Sequence, residues 1–279
     1  MNPVSWFILQ VLPYITVAVF VIGILYRLGR WVRARIVHNI TLAPFPKNNG
    51  QVVAVFAKEV IFFRSLFKSD KAVWAGGWIM HVALFSVIGG HIMGIGTLGK
   101  QFFYMGMTTE AMSENLSSLL GTSFGIIVFA ALIYLLVRRI SITKVKLVSS
   151  PSDYLMLVLL ILIVGVGDLM RMGELAGFHG WGVDYATALT YVQNLAFFQS
   201  ISGTDIVLYP LFTIHLLLVQ ILLMVFPFSK LMHVLGMFGE RWIINRKYKE
   251  PEPGLPNVDI AAARKAGLGL PSAGGEIDA

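Results

Sequence analysis

Residues 77–94 read GWIMHVALFSVIGGHIMG, and residues 211–234 read LFTIHLLLVQILLMVFPFSKLMHV. Both stretches are largely apolar, and each carries two histidines: His81 and His91 in the first, His215 and His233 in the second. The whole chain of 279 residues has six histidines, so four of them fall in these two stretches. An imidazole within hydrocarbon is costly and marks a functional site by default. Paired histidines are a common way to hold haem iron.

Composition sets the solvent. Hydrophobic residues make up 56% of the chain and charged residues 13%, against about 25% charged in a soluble globule. Mean hydropathy is +0.74. There is too little polar material to coat a water-facing surface, so apolar side chains must face lipid. Cysteine is absent. That excludes covalent haem attachment through C-x-x-C-H and a cysteine-ligated iron–sulfur cluster supplied by this chain alone. Any haem held here is non-covalent, of b type.

Crossing the hydrocarbon takes about 20 apolar residues. Five segments qualify: Phe7–Leu25, Val73–Gly94, Ser118–Val137, Tyr154–Met170 and Ile206–Phe228. The last is predicted to continue past Pro227 to about Phe238. The first lacks a basic leader and is followed by Arg27, Arg30, Arg33 and Arg35, which reads as an uncleaved signal anchor. The expected fold class is an all-α membrane protein, a five-transmembrane-helix bundle holding two b haems.

Lys and Arg follow odd-numbered segments. After the third come Arg138, Arg139, Lys144 and Lys146; after the fifth come Lys230, Arg241, Arg246, Lys247 and Lys249. The opposite loops hold Lys100 and Arg171. The positive-inside rule then places the N-terminus outside and the C-terminus in the cytoplasm. The net charge of +7 reports this bias; no basic, aromatic-laced soluble face is present for nucleic acid.

Residues 1–240 are expected to form the transmembrane cytochrome b domain. Within it, residues 27–72 are a long cytoplasmic loop whose stretch QVVAVFAKEVIFFRSLFKSDK suits an interfacial helix, or equally a helix lying on the bundle or on a partner. The loop 173–204 reads as a short extracytoplasmic cap. Residues 241–279, rich in Pro and Gly after Glu250, read as a cytoplasmic tail that is extended or held by a partner.

His81 and His91 are ten residues apart, about 15 Å along a helix; His215 and His233 are eighteen apart, five turns. Helices running in opposite directions bring His91 and His215 to one depth on the outer side, and His81 and His233 to another on the inner side. The unequal spacings require tilt, a bend at Pro227 or a slanted haem. Packing histidines or a proton path would explain one or two such residues; four at complementary depths favour haem. A zinc site fits less well, because the pairs do not converge. Gly76, Gly77, Gly89, Gly90 and Gly94 suit close approach by a macrocycle and equally by a neighbouring helix. His38 and His179 read as surface residues, with His179 a lesser candidate for a quinone or proton role. Asp168 and Arg171, three apart, suit an ion pair on one helix face, with contact to a haem propionate or a quinol-linked proton as the functional alternative. A non-redox transporter or assembly subunit with histidines lining a polar path is the reading from another class.

The stretch LPYITVAVFVIG at 12–23, with GWIMHVALFSVIGGHIMG and HLLLVQILLMVFPFSKLMHV, resembles the gamma subunit of respiratory nitrate reductase, including both histidine spacings. FFRSLFKSDKAVWAGGWIMH at 62–81 and SSPSDYLMLVLLIL at 149–162 look more like the DsrM-type membrane subunit of the sulfite-reduction-associated complex and its heterodisulfide-reductase-like relatives. The resemblance implies five helices in a prokaryotic cytoplasmic membrane, His91 and His215 on the distal haem, and His81 and His233 on the proximal one. It implies exchange of electrons between a menaquinone-type pool and a cytoplasmic iron–sulfur, heterodisulfide-reductase-like subunit, beside other membrane and periplasmic redox subunits. The family's quinol-pocket glycine corresponds to Gly90. Its lysine has no counterpart: Ser113 falls where it would align, and Lys100, nearer the second segment, is the candidate instead, a lone cation that could donate to a quinone carbonyl beside Gly90 and His91 or equally anchor the helix end at the headgroups.

Overall fold

The computed structural model of the protein describes residues 2–34, 46, 48–94 and 96–244, the last four through their backbone alone. Among these residues there is helix and no strand. The longer helices are α1 (Pro3–Arg33), α2 (Asn49–Phe62), α3 (Lys71–Gly94), α4 (Glu110–Ser141), α5 (Pro151–Leu175), α6 (Tyr185–Ala196), α7 (Pro210–Val225) and α8 (His233–Ile244). Five segments are long and apolar enough to cross a membrane: α1, α3, α4, α5 and the run Pro210–Phe228. The first, third and fourth spans outrun the expected limits, because polar and charged ends such as Glu110 and Arg138 belong to the same helices.

The helix starts are written in the sequence. The Asp70 carboxylate accepts the Val73 amide at 2.9 Å and caps α3. Thr109 caps α4, with Glu110 in the first turn and Arg138 and Arg139 in the last, as the helix dipole favours. Ser150 and Asp153 form a capping box before Pro151 at the head of α5.

The chain divides into two units. The first comprises Met1–Arg33 and Phe62–Met232. It holds the five spans, with a core of Ala83, Val128 and Leu132 joining α3 to α4 and, through Leu157, Leu160 and Ile161, to α5. A second core, Leu9, Tyr191, Ile201 and Ile206, lies under the loop after α5. That loop is a folded cap: α6 runs through it, and buried Tyr191 donates its hydroxyl to the Leu9 carbonyl at 2.8 Å. Leu9 sits in a π-helical turn, Phe7–Val11. The wider turn disturbs the ordinary ladder of α1, and two carbonyls there have side-chain donors, Tyr191 and Gln220, the latter reaching Ile8 at 3.1 Å.

The second unit comprises Ala34–Ile61 and His233–Ala279. In it Phe56 of α2 meets Phe238 of α8 with ring centroids 5.7 Å apart. The predicted interfacial segment is helical: α2 ends at Phe62, Phe63 turns through a left-handed conformation at φ 49°, and a further short helix, Arg64–Ser69, follows. Arg35, His38 and residues 245–279 lie outside the described residues, as does the side chain of Arg241.

The fifth span departs from expectation. Instead of one α-helix to Phe238, α-helix stops at Val225, 3-10 turns cover Phe226–Phe228 and Lys230–Met232, and α-helix resumes at His233. Pro227 has no N–H for the ladder and its ring crowds the preceding turn. Five continuous α-turns therefore do not link His215 to His233.

Candidate functional site

His91 and His215 belong to the same unit, from the last turn of α3 and the first half of α7.

Each ring is anchored through Nδ1. His91 Nδ1 lies 2.8 Å from the Val87 carbonyl, one turn back in its own helix, and His81 Nδ1 lies 2.7 Å from the Gly77 carbonyl in the same way. His215 instead reaches across to the Ile163 carbonyl of α5 at 3.0 Å. A carbonyl can only accept, so Nδ1 carries the proton in each case and the lone pair stands at Nε2. This is the orientation that a metal-binding imidazole needs, with its second nitrogen held by an acceptor.

Ile163 is the fourth residue before Gly167, so its carbonyl is also the helical acceptor for the Gly167 amide. A side chain on Gly167 would place its Cβ 3.2 Å from His215 Cε1. The glycine lets the ring lie against α5. Sequence reading passed over Ile163 and Gly167; the VGVG run at 164–167 was the available signal.

Close packing by neighbouring side chains accounts for two of the α3 glycines. A Cβ on Gly76 would meet the Tyr134 ring at 2.5 Å, and one on Gly94 would meet Leu98 at 2.8 Å, so these two serve close packing. Gly77, Gly89 and Gly90 have nothing within 4 Å of the Cβ position. Gly77 and Gly90 flank His81 and His91 and leave space for a flat group. The imidazole donors, their Nδ1 anchors and these open glycines together fit a b haem.

His81 also meets Phe63 edge-on at 5.2 Å between centroids. His233 is exposed and opens the second unit. His179 is exposed in the turn after α5.

Two expectations at the other polar residues change. Lys100 is not a lone cation: its ammonium meets Glu110 at 2.6 Å, and the Glu110 carboxylate pushes it above the ordinary lysine range. Asp168 and Arg171 do not pair. The Arg171 guanidinium donates to the Tyr185 hydroxyl and lies over that ring at 4.9 Å, because the folded cap brings an aromatic acceptor to it. Asp168 packs against α4 at Gly125, where a Cβ would overlap the carboxyl oxygen. Ser113 is fully buried and structural: it donates to the Gly99 carbonyl at 2.7 Å and accepts the Phe102 amide at 3.1 Å.

Known proteins share this arrangement of sequence. The family described as "Nitrate reductase gamma subunit" matches residues 64–248. A protein of Archaeoglobus fulgidus named Hdr-like menaquinol oxidoreductase cytochrome b-like subunit is 28% identical, over 82% of this chain and 76% of its own. The nitrate reductase gamma chain of Bacillus subtilis is 28% identical over 60% of this chain and 74% of its own. The respiratory nitrate reductase 1 gamma chain of Escherichia coli is 23% identical over 89% and 97%. The family match spans both histidine-bearing segments and the four helices that carry or support them, and the chain belongs to the nitrate reductase gamma subunit family.

Proposed function

We propose that the protein is the dihaem cytochrome b subunit of a respiratory complex, passing electrons between a menaquinone-type pool and a cytoplasmic iron–sulfur partner. The observation that carries this reading is the anchoring of His91 and His215: two rings on apolar spans, each with Nδ1 spent on a backbone carbonyl. An imidazole as exposed as that of His91 is costly in hydrocarbon unless something covers it. The inner pair, His81 and His233, rests on sequence spacing and on family resemblance.

Haem iron supplies one-electron chemistry when bound. The chain fixes the ligands, orients them through Val87, Gly77 and Ile163, and excludes water with apolar helices. The name of the Archaeoglobus relative supports menaquinol as the quinone partner and a heterodisulfide-reductase-like subunit as the soluble one. Other membrane and periplasmic redox subunits would complete the assembly. We place the quinone beside Gly90 and His91 near the outer face. Lys100 would contribute there only by exchanging Glu110 for a quinone oxygen. The N-terminus lies outside, and the 241–279 tail, in the cytoplasm, would meet the soluble partner.

Haem counted per chain by pyridine haemochrome tests the ligand set. Two b haems are expected in the wild type. His91→Ala and His215→Ala should each lose the same one, His81→Ala and His233→Ala the other. Loss of the same haem from His81→Ala and His91→Ala would overturn the pairing; no haem in the wild type would overturn the function.

A further inference from the structure

Asp168 is the carboxyl set deepest in a described span. It is five residues, about 7.5 Å, beyond Ile163 at the middle of the 25-residue α5. Hydrocarbon extends about 15 Å to either side of a bilayer centre, so a helix crossing with its middle at that centre carries this side chain within it. Among the described residues it has no hydrogen-bond or ion-pair partner. The arginine one turn further along is committed to Tyr185.

Such a group is expensive to keep as an unpaired charge, and the fold makes room for it. Gly125 of α4 gives up the volume of a side chain where the carboxyl packs. Its neighbours are otherwise unreactive. On α4, residues 121–129 (GTSFGIIVF) carry no titratable side chain; on α7, residues 211–219 (LFTIHLLLV) carry His215; on α5, residues 164–172 (VGVGDLMRM) add Arg171. His215 itself lies against Gly167, the residue before Asp168.

We propose that Asp168 is a proton-uptake site coupled to reduction of the centre held by His91 and His215, so that electron and proton move together there. This rests on reading those two histidines as haem ligands. With one electron added to the iron, from a quinol or a chemical reductant, the carboxylate oxygen of Asp168 takes one proton from the outer aqueous side and an O–H bond forms. Loss of the electron breaks that bond and returns the proton. The reason is electrostatic: an electron arriving nearby in a medium of low dielectric makes a second negative charge costly, and one proton cancels it. Arg171 and Tyr185 lie toward the outer end of α5 and give polar atoms between the carboxyl and water.

Equilibrium redox titration of the purified, haem-loaded chain between about pH 6 and pH 8 tests this, with the outer centre identified as the component missing from His91→Ala. In the wild type, one-proton coupling makes reduction of that centre tenfold less favourable for each unit rise in pH, and Asp168→Asn should remove most of that dependence while keeping both haems. Gly125→Ala, which displaces the carboxyl without deleting it, should alter the dependence too. A haem-replete wild type whose outer centre ignores pH would overturn the proposal, as would an Asp168→Asn protein with the wild-type slope. If Asp168→Asn does not assemble, an unchanged slope in Gly125→Ala is the contrary result. A wild type with no reducible haem at all would instead sink the reading of the ligands.

Discussion

The His215 ring takes its orientation from a neighbouring helix, which makes Gly167 a sensitive position. Its Cβ would stand 3.2 Å from the ring, closer than ordinary contact, so Gly167→Ala must tilt the imidazole or part the helices by a few tenths of an ångström. Overpacking of this kind costs about 1–3 kcal/mol, and a tilted His215 would hold a haem differently. We expect this variant to keep both haems but to shift the potential and absorption band of the outer one, leaving the inner one unmoved; an unchanged outer haem would show that Ile163 and Gly167 do not orient the ligand. Gly90 contrasts with it. Among the described residues, nothing beyond its own stretch of helix lies within 4 Å of its Cβ position, so Gly90→Val adds bulk without pressing on a neighbour. That variant should retain both haems and full reduction by dithionite, yet be reduced slowly by a menaquinol analogue. Normal quinol reduction would move the quinone site elsewhere. The ligand candidates were legible because histidine is rare in apolar sequence. Their anchors were not, because a backbone carbonyl such as that of Ile163 has no sequence signature.

Among the elements, α3 and α4 are tied at one end by Asp70 and Arg138, 2.7 Å apart. Asp70 also caps α3. The Val73 amide, and then the Arg138 guanidinium, hold its carboxyl below the usual range against the effect of partial burial. A depressed folded-state value means that the stabilisation is present at neutral pH, above the unfolded carboxylate's ordinary value, and is lost as pH falls through the folded one. Asp70→Asn should therefore melt below the wild type at pH 7, with the gap narrowing as pH falls below the ordinary carboxylate range, followed by thermal unfolding in detergent. A gap of constant size across an acid titration would mean that the site acts by shape and not by charge. The five spans were readable because about 20 apolar residues have few other fates. The break at Val225 was less so. Proline marked a bend, but the two 3-10 turns depend on packing: Pro227 fits over Gly23 of α1, where a Cβ would meet it at 2.7 Å, and Lys230 is drawn to Asp153 of α5 at 2.7 Å. The cap containing α6 was missed as a core because its polar sequence hides three residues, Tyr191, Ile201 and Ile206, that meet Leu9 of α1 only in three dimensions.

For the molecule as a whole, sidedness follows from which charges share an end of the first unit. Asp70 with Arg138, and Asp153 with Arg139 and Lys230, gather the start of α3, the end of α4, the start of α5 and the exit from the fifth span at one end. Lys100 with Glu110 and Arg171 with Tyr185 mark the other, where the cap lies. Arg27, Arg30 and Arg33 at the close of α1 belong with the first end, since α1 meets Pro227 through Gly23 near its C-terminal part and the cap through Leu9 near its start. The cation-rich end is the one that the positive-inside rule retains in the cytoplasm. Reporter fusions after Lys146 and after Lys249 should then read as cytoplasmic, and a fusion near Gly180 as extracytoplasmic. A cytoplasmic reading at Gly180 would turn the bundle over. It would place the His91–His215 pair and Asp168 on the side of the soluble partner, and the quinone assignment would have to move with them.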